Sequence, residues 1–155
     1  DIKGLMDNPQ DPKAALERLL AENAAYKKQA EEFAKQKARQ TAEKLAATAR
    51  SVNGINLIIV EEAENATELR EAASILQKEA VNTALVAAFE IDSKPQLLLM
   101  FSDDLVKAGR NAGAEIRPAA KFIQGGGGGQ NGLATAGGRD LSGLGKALSA
   151  LLETF

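Results

Sequence analysis

A chain of 155 residues and 16.3 kDa is the size of one ordinary globular domain, or of a small domain with an appendage. Its 45% hydrophobic and 26% charged composition can bury a core and excludes a disordered tail, while a net charge of −2 by itself singles out no class of partner. His and Cys are both absent, which excludes disulfides, thiol and imidazole nucleophiles, the Ser-His-Asp triad and the usual zinc sites.

The opening residues, Asp1-Ile2-Lys3-Gly4-Leu5, carry neither an initiator Met nor the layout of a signal peptide, so the chain reads as a piece of something longer. No apolar run approaches the ~20 residues that span a bilayer, and the expectation is a cytoplasmic protein with no membrane partner. From Asp11 to Val52 the composition predicts one long helix. Asp11 suits the N-cap, Pro12 the first helical position, and no further Gly or Pro follows before Gly54. About 40 residues at ~1.5 Å each would reach ~60 Å, more than a small domain is wide. Leu16, Leu19, Tyr26 and Phe33 fall at heptad a and d spacing with Asn23 at an a position, which predicts a pairing surface: a coiled-coil arm or the interface of a homodimer. After Phe33 the frame slips, as at a stutter, and Ala38, Leu45 and Ala49 continue it toward the helix's own domain. The division expected is a helical subdomain over 1–53 and a globular one over 54–155.

Past Gly54 the period changes. Ile55 to Val60 is short, apolar and β-branched, a buried strand. Thr67 caps a predicted helix running to about Val81. Two more apolar runs, Ala84 to Phe89 and Gln96 to Phe101, are joined by a hairpin-length connector. The order strand–helix–strand–strand predicts an α/β (α+β) fold, a small sheet with a crossover helix on one face. Ser102, Asp103 and Asp104 read as a helix start, with negative charge where the helix dipole favours it. Further helices are expected over Asn111–Ile123, with Pro118 as a kink or delay, and over Leu141–Leu152.

Ten of the fourteen glycines lie between residues 125 and 145, and Gly125, Gly126, Gly127, Gly128 and Gly129 are consecutive. The same region is basic: Lys107, Arg110, Arg117, Lys121, Arg139 and Lys146 stand against Glu115 and Asp140. A glycine-rich loop of bare amides, flanked by cations and followed by the small apolar run Leu133-Ala134-Thr135-Ala136, suits a phosphate or another anion. The dinucleotide-binding glycine pattern is met only trivially by a glycine run, and Gly145-Lys146 is followed by Ala147 where a phosphate-binding loop needs Ser or Thr. The acidic pairs Glu61/Glu62 and Asp103/Asp104 read as solvated ends of strands and caps. No nucleophile, base and orienting group assemble, so no chemistry is expected of this chain.

The glycine run followed by Leu133-Ala134-Thr135-Ala136-Gly137-Gly138 resembles the C-terminal region of bacterial alanyl-tRNA synthetases, the DHH-associated domain that also occurs in single-strand nucleases and phosphoesterases. The order of elements agrees with the synthetase version over almost the whole chain. Two departures stand out. The synthetases usually place Arg-Pro-Asp-Met where this chain has Gln130-Asn131-Gly132-Leu133, and phosphoesterases commonly place His at the position of Gln130. The resemblance implies a module that binds the outer corner of alanine-specific tRNA, helps link aminoacylation with editing, and contacts the other domains of a parent ligase. ATP and the editing zinc would belong to those other domains, with no cofactor here. For such binding Lys121, Arg139 and Lys146 are the first candidates for phosphate contacts, Arg117 and Arg110 the next; the glycines supply close backbone approach, and Gln130 and Asn131 amide donors. Two other readings stand beside it, a purely structural dimerisation module and the substrate-binding domain of a DHH-type phosphoesterase.

Overall fold

Asp11 caps the first helix as its sequence predicts: its carboxylate accepts the N–H groups of Lys13 and Ala14 at 3.0 and 3.2 Å. The computed structural model describes residues 11–155. The first ten residues, on which the expectation about the chain's start rests, lie outside the described residues. Helix α1 runs Pro12–Ala46 and is the first element of two compact units, residues 1–36 and 37–155.

In the first unit the described residues are helix alone. Exposed i,i+4 pairs Lys13–Glu17 (3.9 Å) and Arg18–Glu22 (2.8 Å) run along it. Leu16, Leu19, Tyr26 and Phe33 are between 49% and 69% exposed, and Asn23 is exposed with them.

Helix α1 ends at Ala46, six residues before the predicted end at Val52. Arg50–Val52 is instead strand β1, paired antiparallel with β2 (Ile55–Val60). The reason is the Asn53-Gly54 pair. Both residues take positive φ, 47° and 84°, as a two-residue hairpin turn twisted to match its strands requires. Helix α2 (Ala66–Glu79) is capped by Asn65, whose side chain accepts from Glu68 N–H at 3.1 Å; the predicted cap, Thr67, is already inside the helix. It crosses from β2 to β3 (Thr83–Ile91), which lies parallel to β2. Asp92 and Ser93, both with positive φ, turn the chain into β4 (Lys94–Phe101).

Ser102 opens the short helix α3 (Asp103–Lys107), and Asn111 caps α4 (Ala112–Phe122) by accepting the Ala114 N–H at 3.0 Å. Pro118 lies within α4 on its exposed side and does not delay it. The expected glycine loop is a strand. β5 (Gly126–Gly129) pairs antiparallel with β6 (Leu133–Gly137), and the sheet order is β1-β2-β3-β4-β6-β5. A 3₁₀ turn, Leu141–Gly143, leads into α5 (Leu144–Leu152).

Both faces of the sheet are covered, which is why β3 and β4 read as continuous apolar runs rather than alternating ones. On one face Ala84, Val86, Leu97, Leu99 and Phe101 pack under α4 and α5 through Ile116, Ala120, Ile123, Ala147 and Leu151. On the other, Leu85, Ala87, Phe89, Leu98 and Met100 pack under α2 and the end of α1 through Leu69, Ala73, Leu76 and Ala42. Three polar clasps hold residues 37–46 of α1 to α2: Lys37–Glu68 at 2.8 Å, Thr41 Oγ1–H to Glu68 at 2.7 Å, and a two-bond fork from Arg39 to Glu79. No helix is long and apolar enough to cross a membrane among the described residues.

Candidate nucleic-acid interface

The glycine strand owes its place to α4. Gln130 and Asn131, in the turn after β5, accept the Gly113 and Ala112 N–H groups through their carbonyls, at 3.2 and 2.8 Å. These bonds and Asn111 take up the first amides of α4, so that helix end is not an open anion site. At the other end Gly125 N–H donates to Ala120 C=O at 3.0 Å. The strand is thus fastened alongside α4 at both ends, over ~13 Å for four residues. Gly113 is the point of close approach, since a Cβ there would stand 2.7 Å from the Gly129 carbonyl oxygen.

Within the strand the glycines divide by side. A Cβ on Gly127 would stand 2.7 Å from Thr135 O and closer still to the Ala136 methyl, so packing alone demands glycine there. At Gly126 and Gly128 nothing lies within 4 Å of the Cβ position. Packing therefore does not require glycine at these two positions, where an added methyl would meet no neighbour. Gln130 N–H donates to Leu133 C=O at 2.9 Å, which marks a hydrogen-bonded pair. By antiparallel alternation, Gly127 and Gly129 then turn their N–H groups away from β6, toward the outer edge of the sheet.

The cations expected around the glycines sort into two groups. Lys121 occupies the last turn of α4, directly before the strand, and Arg117 lies one turn earlier on the same exposed side. Arg139 is drawn to this end of the strand because its N–H donates to Ile123 C=O at 3.0 Å. Lys146 of α5 lines a groove together with Phe122. All four cationic residues are exposed. The acid between them is already engaged: Ser142 Oγ–H donates to Asp140 at 2.6 Å, Ser142 N–H at 3.0 Å and Gln124 Nε2 at 3.2 Å. The Ser142 hydroxyl foremost holds its carboxyl below the usual range.

Arg110 belongs elsewhere. Its guanidinium stacks on the Phe101 and Phe155 rings, at 4.3 and 4.6 Å from their centroids, and makes a two-bond fork to Glu115 at 3.1 and 2.7 Å. A cation held this way closes the end of the core and is not offered to a ligand. The Gln130 and Asn131 side chains are exposed at the far end of the strand from Lys121 and Arg139.

One exposed aromatic escaped the sequence reading. Phe122, 46% exposed, stands beside Lys121. Its signal was its position off the apolar stripe of α4, which Ala112, Ile116, Ala119 and Ala120 form. The carboxylate pairs stay structural where the structure resolves a role: Asp104 accepts from Asn82 N–H at 2.8 Å and Asp103 from Gln77 at 3.1 Å. No three His, Cys, Asp or Glu side chains gather as a metal-holding group among the described residues.

The DHHA1 domain family matches residues 54–155. The alanine–tRNA ligase of Parabacteroides distasonis is 38% identical over 154 residues, which is 99% of this chain and 18% of that protein. The ligase of Cytophaga hutchinsonii is 40% identical over 150 residues, 96% of this chain and 17% of its own length. The chain therefore spans less than a fifth of such relatives. Among solved structures, the C-Ala domain of Aquifex aeolicus alanyl-tRNA synthetase aligns with a TM-score of 0.58 at 27% identity, over 68% of this chain and 95% of that one.

Proposed function

Because the chain belongs to the DHHA1 domain family and is similar along nearly its whole length to a segment of alanine–tRNA ligases, we propose that it is the tRNA-binding and assembly module of such a ligase. The observation that carries this reading is the pairing of bare backbone with charge. Gly126 and Gly128 leave the space beside their α-carbons open, and Gly127 and Gly129 turn their N–H groups to the outer edge. Lys121 and Arg139 stand near the strand's beginning, and Arg117 and Lys146 lie on the flanking helices α4 and α5. The outer corner of a tRNA presents phosphates, ribose hydroxyls and shape rather than a readable groove, which calls for amides and cations. The glycine edge accepts the close approach of a sugar–phosphate chain, and the lysines and arginines neutralise it. Activation of alanine, ATP binding and zinc-dependent editing fall to other parts of the ligase in this reading, and the module helps couple aminoacylation with editing by holding the tRNA. The stripe Leu16, Leu19, Asn23, Tyr26 and Phe33 pairs two copies. A phosphoesterase substrate site is disfavoured by Gln130, which stands where that branch commonly carries a His.

Phosphate-dominated binding releases counterions. Affinity for an alanine tRNA transcript is expected to fall at least tenfold between about 50 and 200 mM salt, and Lys121→Glu with Arg139→Glu to remove most of the binding and flatten that slope. Binding that is insensitive to both salt and the double reversal would overturn the reading.

A further inference from the structure

The backbone edge and its cations leave Phe122 unused. Its own backbone is well anchored, since the turn at Gly143 packs directly on the Phe122 carbonyl. Its ring, by contrast, lines a groove of about 320 Å³ with Gly145, Lys146, Ser149, Ala150 and Glu153 of α5. That volume sits at the small end of the ~300–1,000 Å³ typical of ligand sites. Nothing lies within 4 Å of the Cβ position of Gly145, so this wall is open above the backbone.

We infer that Phe122 is a stacking platform for one unpaired nucleobase of the bound RNA, with Lys146 taking an adjoining phosphate. The inference rests on the RNA-binding reading above and adds to it a base contact and a residue. An unstacked base gains from an aromatic face whatever its identity, and such platforms recur beside positive grooves that track a nucleic-acid backbone. The charge around the ring suits this occupant: Lys121 precedes Phe122 in sequence, Arg139 is bonded to the residue after it, and Lys146 shares the groove, against Glu153 and Asp140, the latter already engaged by Ser142 and Gln124. An amphipathic protein helix would instead need a long apolar groove to receive its anchors at i, i+3 and i+7, and the apolar side chains of this groove are Phe122 and Ala150.

The chain contains no Trp, so Phe122→Trp places a single indole emitter at the platform. The probes are an unmodified alanine tRNA transcript and a blunt RNA duplex with no unpaired bases. Phe122→Leu is expected to weaken tRNA binding about tenfold while leaving duplex binding unchanged. Phe122→Trp is expected to keep the affinity and to lose emission on tRNA but not on duplex. The inference falls if Phe122→Leu binds tRNA within twofold of the unaltered chain, as it would if the groove received a protein. It also falls if the indole stays bright at saturation. The second measurement stands even if the leucine variant unfolds. Loss of binding in Lys121→Glu/Arg139→Glu with none in Phe122→Leu would sink the platform and leave the phosphate reading intact. If the unaltered chain binds tRNA no better than the charge-reversed one, both fall.

Discussion

At the residue scale, two neighbouring glycines separate packing from function. Gly127 faces Thr135 and Ala136 at distances no methyl group fits, whereas Gly128 faces open space. Gly127→Ala is expected to lower unfolding free energy by about 1–3 kcal/mol through overpacking. Gly128→Ala is expected to be neutral or to stabilise by up to ~1 kcal/mol, because alanine restricts the unfolded chain more than glycine does. Urea unfolding compares the two. Equal destabilisation by Gly128→Ala and Gly127→Ala would show that packing constrains both positions alike. If Gly128→Ala folds normally yet binds tRNA less well, the bare peptide at Gly128 is where the ligand approaches. Arg110 shows the converse lesson. Its sequence neighbourhood advertised a phosphate contact, but the fold spends the guanidinium on Glu115 and two phenylalanine rings.

At the element scale, residues 37–46 of α1 are held to α2 by polar clasps as well as by Ala42. Glu68 is central to them: the Lys37 ammonium and then the Thr41 hydroxyl hold its carboxyl below the ordinary value. A carboxyl that ionises more readily folded than unfolded adds stability above its unfolded pKa, about 4.3 for a glutamate. That contribution is lost as pH falls through the lower native value. Glu68→Gln is therefore expected to be less stable than the unaltered chain at pH 7, with the gap narrowing as pH drops below about 4. Thermal melts of both proteins across pH 3 to 7 measure it, and a gap that widens toward acid would refute the assignment. The glycine strand is an element of another kind. Glycine disfavours strands by itself, so local sequence predicts a loop at β5; what makes it a strand is β6 on one side and α4 fastening both its ends. The hairpin at Asn53-Gly54 was legible in principle, as a turn pair between a short run and a β-branched one, but the alanine- and lysine-rich composition just before it extended the helix too far.

At the scale of the whole molecule, the first unit exposes leucine and aromatic side chains in heptad register, and the reading above pairs two copies through them. Sedimentation is expected to give a dimer for the unaltered chain and half that mass for Leu19→Asp with Tyr26→Asp. An unchanged mass in the variant would end the pairing proposal. The second unit folds around a sheet whose central strands are buried on both faces, and the glycine strand β5 is the strand farthest from β1.

Hydrophobic period and end signals are local, and they sufficed for the long helix and its Asp11 cap, for the central strands and crossover helix, and for the small apolar run that becomes β6. The absence of His and Cys likewise excluded whole classes of chemistry without any coordinates. What a glycine faces is not local. Only the packed fold decided that Gly126 to Gly129 lie against α4 as an edge strand, that a methyl would clash at Gly127 but not at Gly128, that Arg110 is held by Glu115 and two rings, and that Phe122 stands outside the core beside Lys146. Each of these depends on which distant backbone comes within a few ångströms, and a residue's own identity and spacing carry no record of that neighbour.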